Sequence, residues 1–407
     1  MPVGAAIQAA SPLRIAVIAG EVSGDALGAG LISALRELTA AEPVFLGVGG
    51  EAMAAAGVPS LFPLADIAVM GPLEILAVLP RLLKRIRQTA AAIVAFSPDV
   101  VVIIDSPEFT HRVARAVRRI LPDVPVVDYV APSVWFWRPG RARRMRAYID
   151  KVLALLPFEP EAYRRLGGPE CVFVGHPLHS ETAADNSGEP ERRSRLDLDK
   201  DVPVLLVMPG SRGSEIHRLM APFGQALAAL NRGGSRFQAV LPAVPHLREE
   251  IERRAALWPV PVRIMDNADA HKQAAFSLAH AALAASGTTT LELAMAGIPM
   301  VVGYKIDAFT GFIVRKLAQT DHVSLPNLIA GRTVVPEFLQ GQCTGDLLAA
   351  ALAPLLRPGE ERERQLRELA DIARRVRQYG PAEHGRLPPH GMAARAVLDV
   401  VQSASNN

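Results

Sequence analysis

Short continuous apolar runs punctuate the chain, each followed by a glycine-rich or polar turn and then by helical spacing. In the first half the runs are Ile15–Ala19, Val44–Val48, Val100–Ile104, Val124–Tyr129, Leu153–Leu156 and Cys171–Val174. In the second half they are Val204–Met208, Phe237–Leu241, Val262–Met265, Ala281–Ala285 and Met300–Tyr304. Unbroken runs of this length suit strands buried on both faces of a parallel sheet. Ile15–Ala19 leads through Gly20-Glu-Val-Ser-Gly-Asp25 into helical spacing over Ala26–Leu38. Val204–Met208 repeats the pattern, through Pro209-Gly-Ser-Arg-Gly-Ser-Glu215 into Ile216–Leu230. The repeat predicts an α/β fold of two facing Rossmann-like domains with a cleft between them. A polar, charged stretch at Glu181–Asp201 marks the junction. We expect domains at residues 1–180 and 181–385, and a last helix in 386–407, its apolar face at Ala393–Val401 returning to the first domain.

Val69–Ile86 departs from the pattern. Leu76, Leu79, Leu83 and Ile86 recur at helical spacing, Ile75, Val78 and Leu82 widen the apolar face, and basic residues crowd its end. Such a helix either lies in a core or meets a membrane interface or acyl chains. Pro80 is expected to interrupt or kink it. Another amphipathic stretch occupies Phe312–Leu317, and Glu360–Gln378 reads as a charged, solvated helix.

With 407 residues, half of them hydrophobic, the chain has material for two cores. No apolar run approaches the ~20 residues of a spanning helix, and Met1–Ser11 lacks the basic start of a secretory signal. Two cysteines, Cys171 and Cys343, far apart and outside any CxxC pattern, suit a reducing compartment without a metal or disulfide framework. Net charge is +3, but Arg138, Arg141, Arg143, Arg144 and Arg146 fall within nine residues, and Arg81, Lys84, Arg85 and Arg87 cluster as well. Phosphorylated ligands or an anionic membrane fit this charge. Aromatics at 5% and the lack of any RNA-binding signature make nucleic acid the weaker partner.

Candidate chemistry sits where the apolar runs end. Asp105 closes a strand, where ligands of such sheets bind, and is placed to act as a general base or to cap the helix after Pro107. Glu21, Ser23 and Asp25 occupy the first turn, which is not GxGxxG; they offer polar groups to a sugar, and Ser23 and Asp25 are equally N-cap candidates. Trp135, Phe136, Trp137 and Arg138, set among prolines, suggest a binding loop. Gly210, Ser211 and Arg212 form a turn whose backbone N–H groups can cradle a diphosphate while the guanidinium binds its oxygens. Ser286-Gly-Thr288 opens another helix: Ser286 or Thr288 can cap it, Gly287 admits close ligand approach, and Glu292 shares a face with Thr288. That carboxylate can accept from ribose hydroxyls, or merely complement the helix dipole. Asp197-Leu-Asp199 has a metal-binding pattern but lies in the charged connection, as a solvated turn does.

Taken in order, these segments resemble the lipid-A-disaccharide synthase family. The resemblance rests on Ala19–Asp25, Ala68-Val-Met-Gly71, Ile104-Asp105 with Pro107, Pro132-Ser-Val-Trp135 with Trp137-Arg138, Leu156-Pro-Phe-Glu159 and Val174-Gly-His176. It continues through Pro209–Gly213, Ala285-Ser-Gly-Thr288 with Leu291-Glu292, and Val323-Ser-Leu-Pro-Asn327. Ser106, Glu108, Ala131, Phe136 and Met208 depart from the usual residues. The resemblance implies a GT-B fold and metal-independent, cofactor-free, inverting transfer. The donor would be UDP-2,3-diacylglucosamine and the acceptor 2,3-diacylglucosamine 1-phosphate (lipid X), giving a β-1,6 disaccharide 1-phosphate and UDP. It makes Asp105 the first choice of base with Glu21 behind it, gives Glu292 the ribose, and sets Asn327 by the nucleotide or reacting sugar. Leu73, Leu76, Leu79 and Leu83 would meet acyl chains and the inner membrane surface, implying a cytoplasmic, peripheral protein. Trp135 and Arg138 belong to the acceptor face, the arginine group to the acceptor phosphate or lipid headgroups, and homodimerisation stays open. Another UDP-sugar GT-B enzyme, a muramyl-pathway transferase or a sugar epimerase, is the alternative. A catalytically silent nucleotide- or membrane-binding protein is a third, against which Asp105, Arg212 and Glu292 together argue.

Overall fold

The computed structural model describes residues 12–67, 72–178, 188–266, 269–307, 320–378 and 387–405. The Ala68–Gly71 motif and the stretch Phe312–Leu317 lie outside the described residues. The chain divides into two compact units, Met1–Ser180 with Arg377–Asn407, and Glu181–Val376.

The first unit is built on a six-stranded parallel sheet of β1 (Arg14–Ala19), β2 (Val44–Val48), β3 (Val100–Ile104), β4 (Val126–Tyr129), β5 (Lys151–Ala154) and β6 (Glu170–Phe173). Its spatial order is β2-β1-β3-β4-β5-β6, so the chain reverses direction of winding between β1 and β3. Alternate residues feed two cores. Ala16, Ile18, Val101 and Ile103 pack with Leu82, Ile86 and Ile93 of the helix Pro72–Phe96 on one face. On the other, Ile15, Val17, Val102 and Ile104 pack with Leu31 and Leu35 of the helix Val22–Leu38 and with Ala394, Val397 and Leu398 of Pro389–Ser405. Each fully buried Leu, Ile or Val contributes about 1.5–3 kcal/mol. The last helix is thus part of the first unit.

The second unit carries β7 (Val204–Met208), β8 (Gln238–Ala243), β9 (Val262–Asp266), β10 (Ala279–Ala284), β11 (Met300–Tyr304) and β12 (Glu337–Leu339), again all parallel. The order β12-β11-β10-β7-β8-β9 puts the reversal between β7 and β10. Helices Gly213–Arg232 and Gly345–Leu352 cover one face through Ile216, Leu219, Phe223 and Leu348.

Several local expectations are corrected. Pro80 does not divide its helix, which runs unbroken from Pro72 to Phe96. The Pro80 ring is exposed there. The polar junction contains a short helix, Glu189–Arg195, held by the buried Arg193 guanidinium, which donates to the carbonyls of Asp199 (2.8 Å) and Val202 (3.2 Å). Asp197 in the following turn pairs with Arg263. The tryptophan segment forms two short helices, Val134–Trp137 and Gly140–Met145, rather than an open loop. Asp25 caps not its own helix but the next: buried, it accepts from the N–H groups of Gly50 (2.7 Å), Ala52 (2.9 Å) and Met53 (3.0 Å). Neither Ser23 nor Asp25 caps Val22–Leu38, whose N-cap position is Glu21 with no side-chain cap bond.

Candidate active site

Ligands of open parallel sheets bind beyond the carboxyl ends of the strands, at the point where the winding reverses. In the first unit that point lies between β1 and β3, so the turns after Ala19 and Ile104 are neighbours, tied by the Gly20 N–H to the Ile104 carbonyl (3.2 Å). Asp105 and Ser106 both take left-handed backbone angles, φ +54° and +44°, turning the chain sharply out of the strand. Such angles are costly for non-glycine residues and recur at functional turns. The Asp105 carboxylate accepts from the Ser106 N–H (2.7 Å) through one oxygen and from the Ser23 hydroxyl (3.3 Å) through the other. It is half-buried, oriented, and retains lone pairs for a substrate hydroxyl. It does not cap a helix; the next one begins at Thr110 with Phe109 at the N-cap position. Glu21 is exposed one strand over, at the start of Val22–Leu38.

Beyond β4, Trp135 is half-buried, and its indole N–H donates to Glu159 (3.2 Å). Its ring meets Phe158 edge to face at 4.8 Å between centroids. Arg141 donates to the carbonyl of Pro107 (3.4 Å), linking this segment to the Asp105 loop, and Arg138 and Arg141 approach Glu108 (3.9 and 3.7 Å). Burial pushes the Glu159 carboxyl up to about 7, opposed by the Leu156 and Trp135 N–H donors. His176, after β6, is buried and pushed down to about 4. Glu159 stood within a family motif, but nothing local in the sequence gave it a task.

The acyl-side residues are only partly visible: the side chains of Leu73 and Leu76 lie outside the described residues. Leu79 is partly buried and Leu83 exposed, whereas Leu82 and Ile86 belong to the core, so only part of the apolar face is taken up by the core. Beside Leu83, a hollow of about 520 Å³ is lined by Asp66, Pro80, Arg81, Lys84 and Arg85. Among the described residues no helix is long and apolar enough to cross a membrane.

In the second unit the turns after β7 and β10 flank the reversal, joined by the Ala285 N–H to the Met208 carbonyl (2.8 Å). Gly210 has φ +113°, and a Cβ there would lie 2.2 Å from the Glu215 carboxylate. Buried Glu215 organises the turn, accepting from the N–H groups of Ser211 (3.0 Å) and Arg212 (3.2 Å) and from the Arg212 guanidinium (3.2 Å). The Arg212 side chain is 68% exposed, which leaves its other N–H donors for an anion. Gly213 and Ser214 begin a 20-residue helix, where N–H groups have no intrahelical acceptor.

Gly287, at φ +151°, is the N-cap position of Thr288–Met295, with no side-chain cap. Ser286 does not cap: its hydroxyl donates to the Val323 carbonyl (2.8 Å). Thr288 is exposed at the helix start, and Glu292 one turn on is paired with Lys272 (2.7 Å). Lys272 escaped sequence reasoning because it lies on another helix, Asp269–Leu278. Asn327 is placed differently from expectation. It is fully buried, accepting from the N–H groups of Val334 (2.7 Å) and Val335 (2.9 Å) and donating to the Val335 carbonyl (2.9 Å). Its side chain ties its own helix, Leu325–Ala330, to the Val334–Val335 backbone. A hollow of about 600 Å³ beside Arg232 and Trp258 gathers none of these residues.

The fold has counterparts in solved structures. Acinetobacter baumannii MurG matches with a TM-score of 0.55 at 16% identity, over 96% of this chain and 100% of that one. A UDP-GlcNAc 2-epimerase from Neisseria meningitidis, bound to UDP-GlcNAc, matches with a TM-score of 0.60 at 13% identity, over 96% and 100%. The fold is GT-B. The family model described as lipid-A-disaccharide synthetase matches residues 15–384. Lipid-A-disaccharide synthases of Nitrobacter hamburgensis and of Rhodopseudomonas palustris strain HaA2 are 49% identical over 396 residues and 48% over 389. The alignments cover 97% of each chain in the first case and 96% of each in the second. The chain belongs to the lipid-A-disaccharide synthase family.

Proposed function

We propose that this chain transfers 2,3-diacylglucosamine from its UDP donor to the 6-hydroxyl of 2,3-diacylglucosamine 1-phosphate, forming a β-1,6 disaccharide with inversion. The observation that carries the reading is Asp105, turned out of β3 at the switch point and oriented by Ser23 and the Ser106 N–H. In the step proposed, Asp105 takes the acceptor hydroxyl proton while that oxygen bonds the anomeric carbon. The bond from that carbon to the UDP phosphate oxygen breaks, and UDP leaves with the electron pair. Arg212 and the helix N-termini at Gly213 and Thr288 are suited to the charge gathering on UDP, with no metal required. Glu292 takes the ribose hydroxyls, with Ser286 and Gly287 shaping the turn before it. Leu83, Leu79 and the basic hollow meet the inner membrane surface, and Trp135 and Arg138 serve the acceptor. Glu21 is the alternative base.

The test is to incubate purified protein with the two diacylated sugars, with and without chelator. UDP release with a new disaccharide, indifferent to chelator, is expected; an epimerised UDP-sugar would overturn the reading. Asp105→Ala is expected to abolish turnover while UDP still binds. Full turnover in that variant with loss in Glu21→Gln would move the base to Glu21.

A further inference from the structure

Glu159 opens the helix Glu159–Arg165 after β5, with its side chain inside the first unit, 3% exposed. One carboxylate oxygen accepts the Leu156 N–H (3.0 Å) and the other the Trp135 indole N–H (3.2 Å). Among the described residues no cation pairs with it. A carboxylate this deep costs stability compared with an apolar side chain of the same size. The N–H groups it accepts from are therefore the place to look for its use. The segment that carries Trp135 is fastened twice to this helix, since the Tyr163 hydroxyl donates to the Pro132 carbonyl (2.9 Å). Its other end reaches the Asp105 loop through Arg141 and the Pro107 carbonyl (3.4 Å).

We infer that Glu159 is a positioning residue: its ionised carboxylate pins Trp135, and with it the 132–141 segment, in the geometry that receives the acceptor sugar. This rests on the proposal that the Asp105 face takes the acceptor. The ionised form accepts both N–H groups. Protonation makes one oxygen a donor and removes the charge that strengthens both bonds, and Trp135, half-buried, is the partner with room to move. Burial places this change at about 7. The titratable and charged groups of the same neighbourhood are Tyr163 on its own helix, Asp128 on β4, Cys171 on β6 and Arg141 on Gly140–Met145. Asp128 is paired with His111 (2.9 Å) on the neighbouring helix Thr110–Arg118. Burial raises Tyr163 and Cys171 well above the neutral range, so neither titrates with Glu159.

The chain holds three tryptophans, so a Trp137→Phe, Trp258→Phe background isolates Trp135. Its emission is expected to shift with pH around one midpoint near 7, and to lose that shift in Glu159→Gln. At pH 8 the Gln variant should raise the acceptor KM about tenfold, the size of one lost hydrogen bond to a charged acceptor, with the donor KM unchanged. Below pH 6 the parent should converge on the variant. Trp135→Phe keeps a ring but removes the N–H, and should flatten the same pH dependence of acceptor KM even if the Gln variant fails to fold. Emission that does not titrate, or titrates equally in Glu159→Gln, overturns the inference, as does an unchanged acceptor KM in both variants. The emission titration needs no acceptor. A titrating Trp135 in a protein whose Asp105→Ala variant keeps full turnover would sink the catalytic reading and leave the Glu159–Trp135 link standing.

Discussion

The Lys272 ammonium lies 2.7 Å from the Glu292 carboxylate, joining the helix Asp269–Leu278 to the helix Thr288–Met295. Both side chains are mostly buried, at 29% and 18% exposure, so the pair is screened less than a surface ion pair. Lys272 also lies over the Phe276 ring at 5.6 Å, which narrows where its ammonium can go. The lysine therefore orients the carboxylate assigned to the ribose. Lys272→Met should weaken UDP binding about fivefold, equivalent to ~1 kcal/mol for a partly exposed pair, and Glu292→Gln should weaken it further. Calorimetric titration with UDP checks both, and undiminished affinity in Lys272→Met would remove the lysine from the site.

How far the sequence carried this picture depends on the range of the interaction concerned. Val204–Met208 and Met300–Tyr304 were legible to the residue because strands buried on both faces need unbroken apolar runs. The place of Asp105 at the end of such a run was legible, but its left-handed turn out of β3 was not. The three-residue strand Glu337–Leu339 was not, being too short to carry a pattern. Asp25 was misread by a local rule: an acidic residue in a first turn suggests its own helix, yet its partners are Gly50, Ala52 and Met53, some 25 residues on. Asn327 shows the same limit, since motif membership does not reveal its bonds to Val334 and Val335. Lys272 and Glu159 have partners distant in sequence, and only burial and pairing in space bring those partners into view.

Asp25 offers a test of structure without chemistry. Its carboxylate is buried and satisfies three backbone N–H groups at the start of the helix Glu51–Ala55. Asp25→Ala leaves those donors buried without an acceptor, at a cost of about 1–3 kcal/mol. Asp25→Asn keeps one oxygen acceptor and should fall between the two. Urea unfolding followed by circular dichroism should show this order of midpoints, and equal midpoints for parent and Ala variant would contradict it.

Gly20 packs against the Asp105 turn so closely that a Cβ on it would lie 2.2 Å from the Ser106 Cβ. Both atoms are anchored to backbone, so Gly20→Ala must push the Asp105–Ser106 turn away from its place. A shift of about 1 Å in a reacting group can reduce rate about 100-fold. The expected result is turnover reduced by roughly that factor with UDP affinity unchanged, since the UDP-side turns belong to the other unit. Measuring kcat beside UDP titration separates the two, and retained turnover would show that the turn can yield without harm.

The acid limb of stability should carry the mark of His176. Its ring is buried, its Nδ1 accepts the Leu178 N–H (3.3 Å), and burial pushes its pKa to about 4 from an ordinary value of 6.5. Below about 6.5 the unfolded chain therefore binds a proton that the folded chain refuses. Stability from this group is fully present above that value, declines as pH falls towards about 4, and levels off beneath it. Glu159 acts in the opposite sense. Its folded carboxyl is raised from 4.5 to about 7, so its contribution declines as pH rises through that interval. The two slopes oppose each other in the window they share, and removing one exposes the other. Between pH 6.5 and 4.5, His176→Gln should lose less stability than the parent, and Glu159→Gln should lose more. Urea midpoints measured at half-unit steps check both directions in one series. If His176→Gln tracks the parent through the whole window, the buried imidazole is not what the acid limb reports.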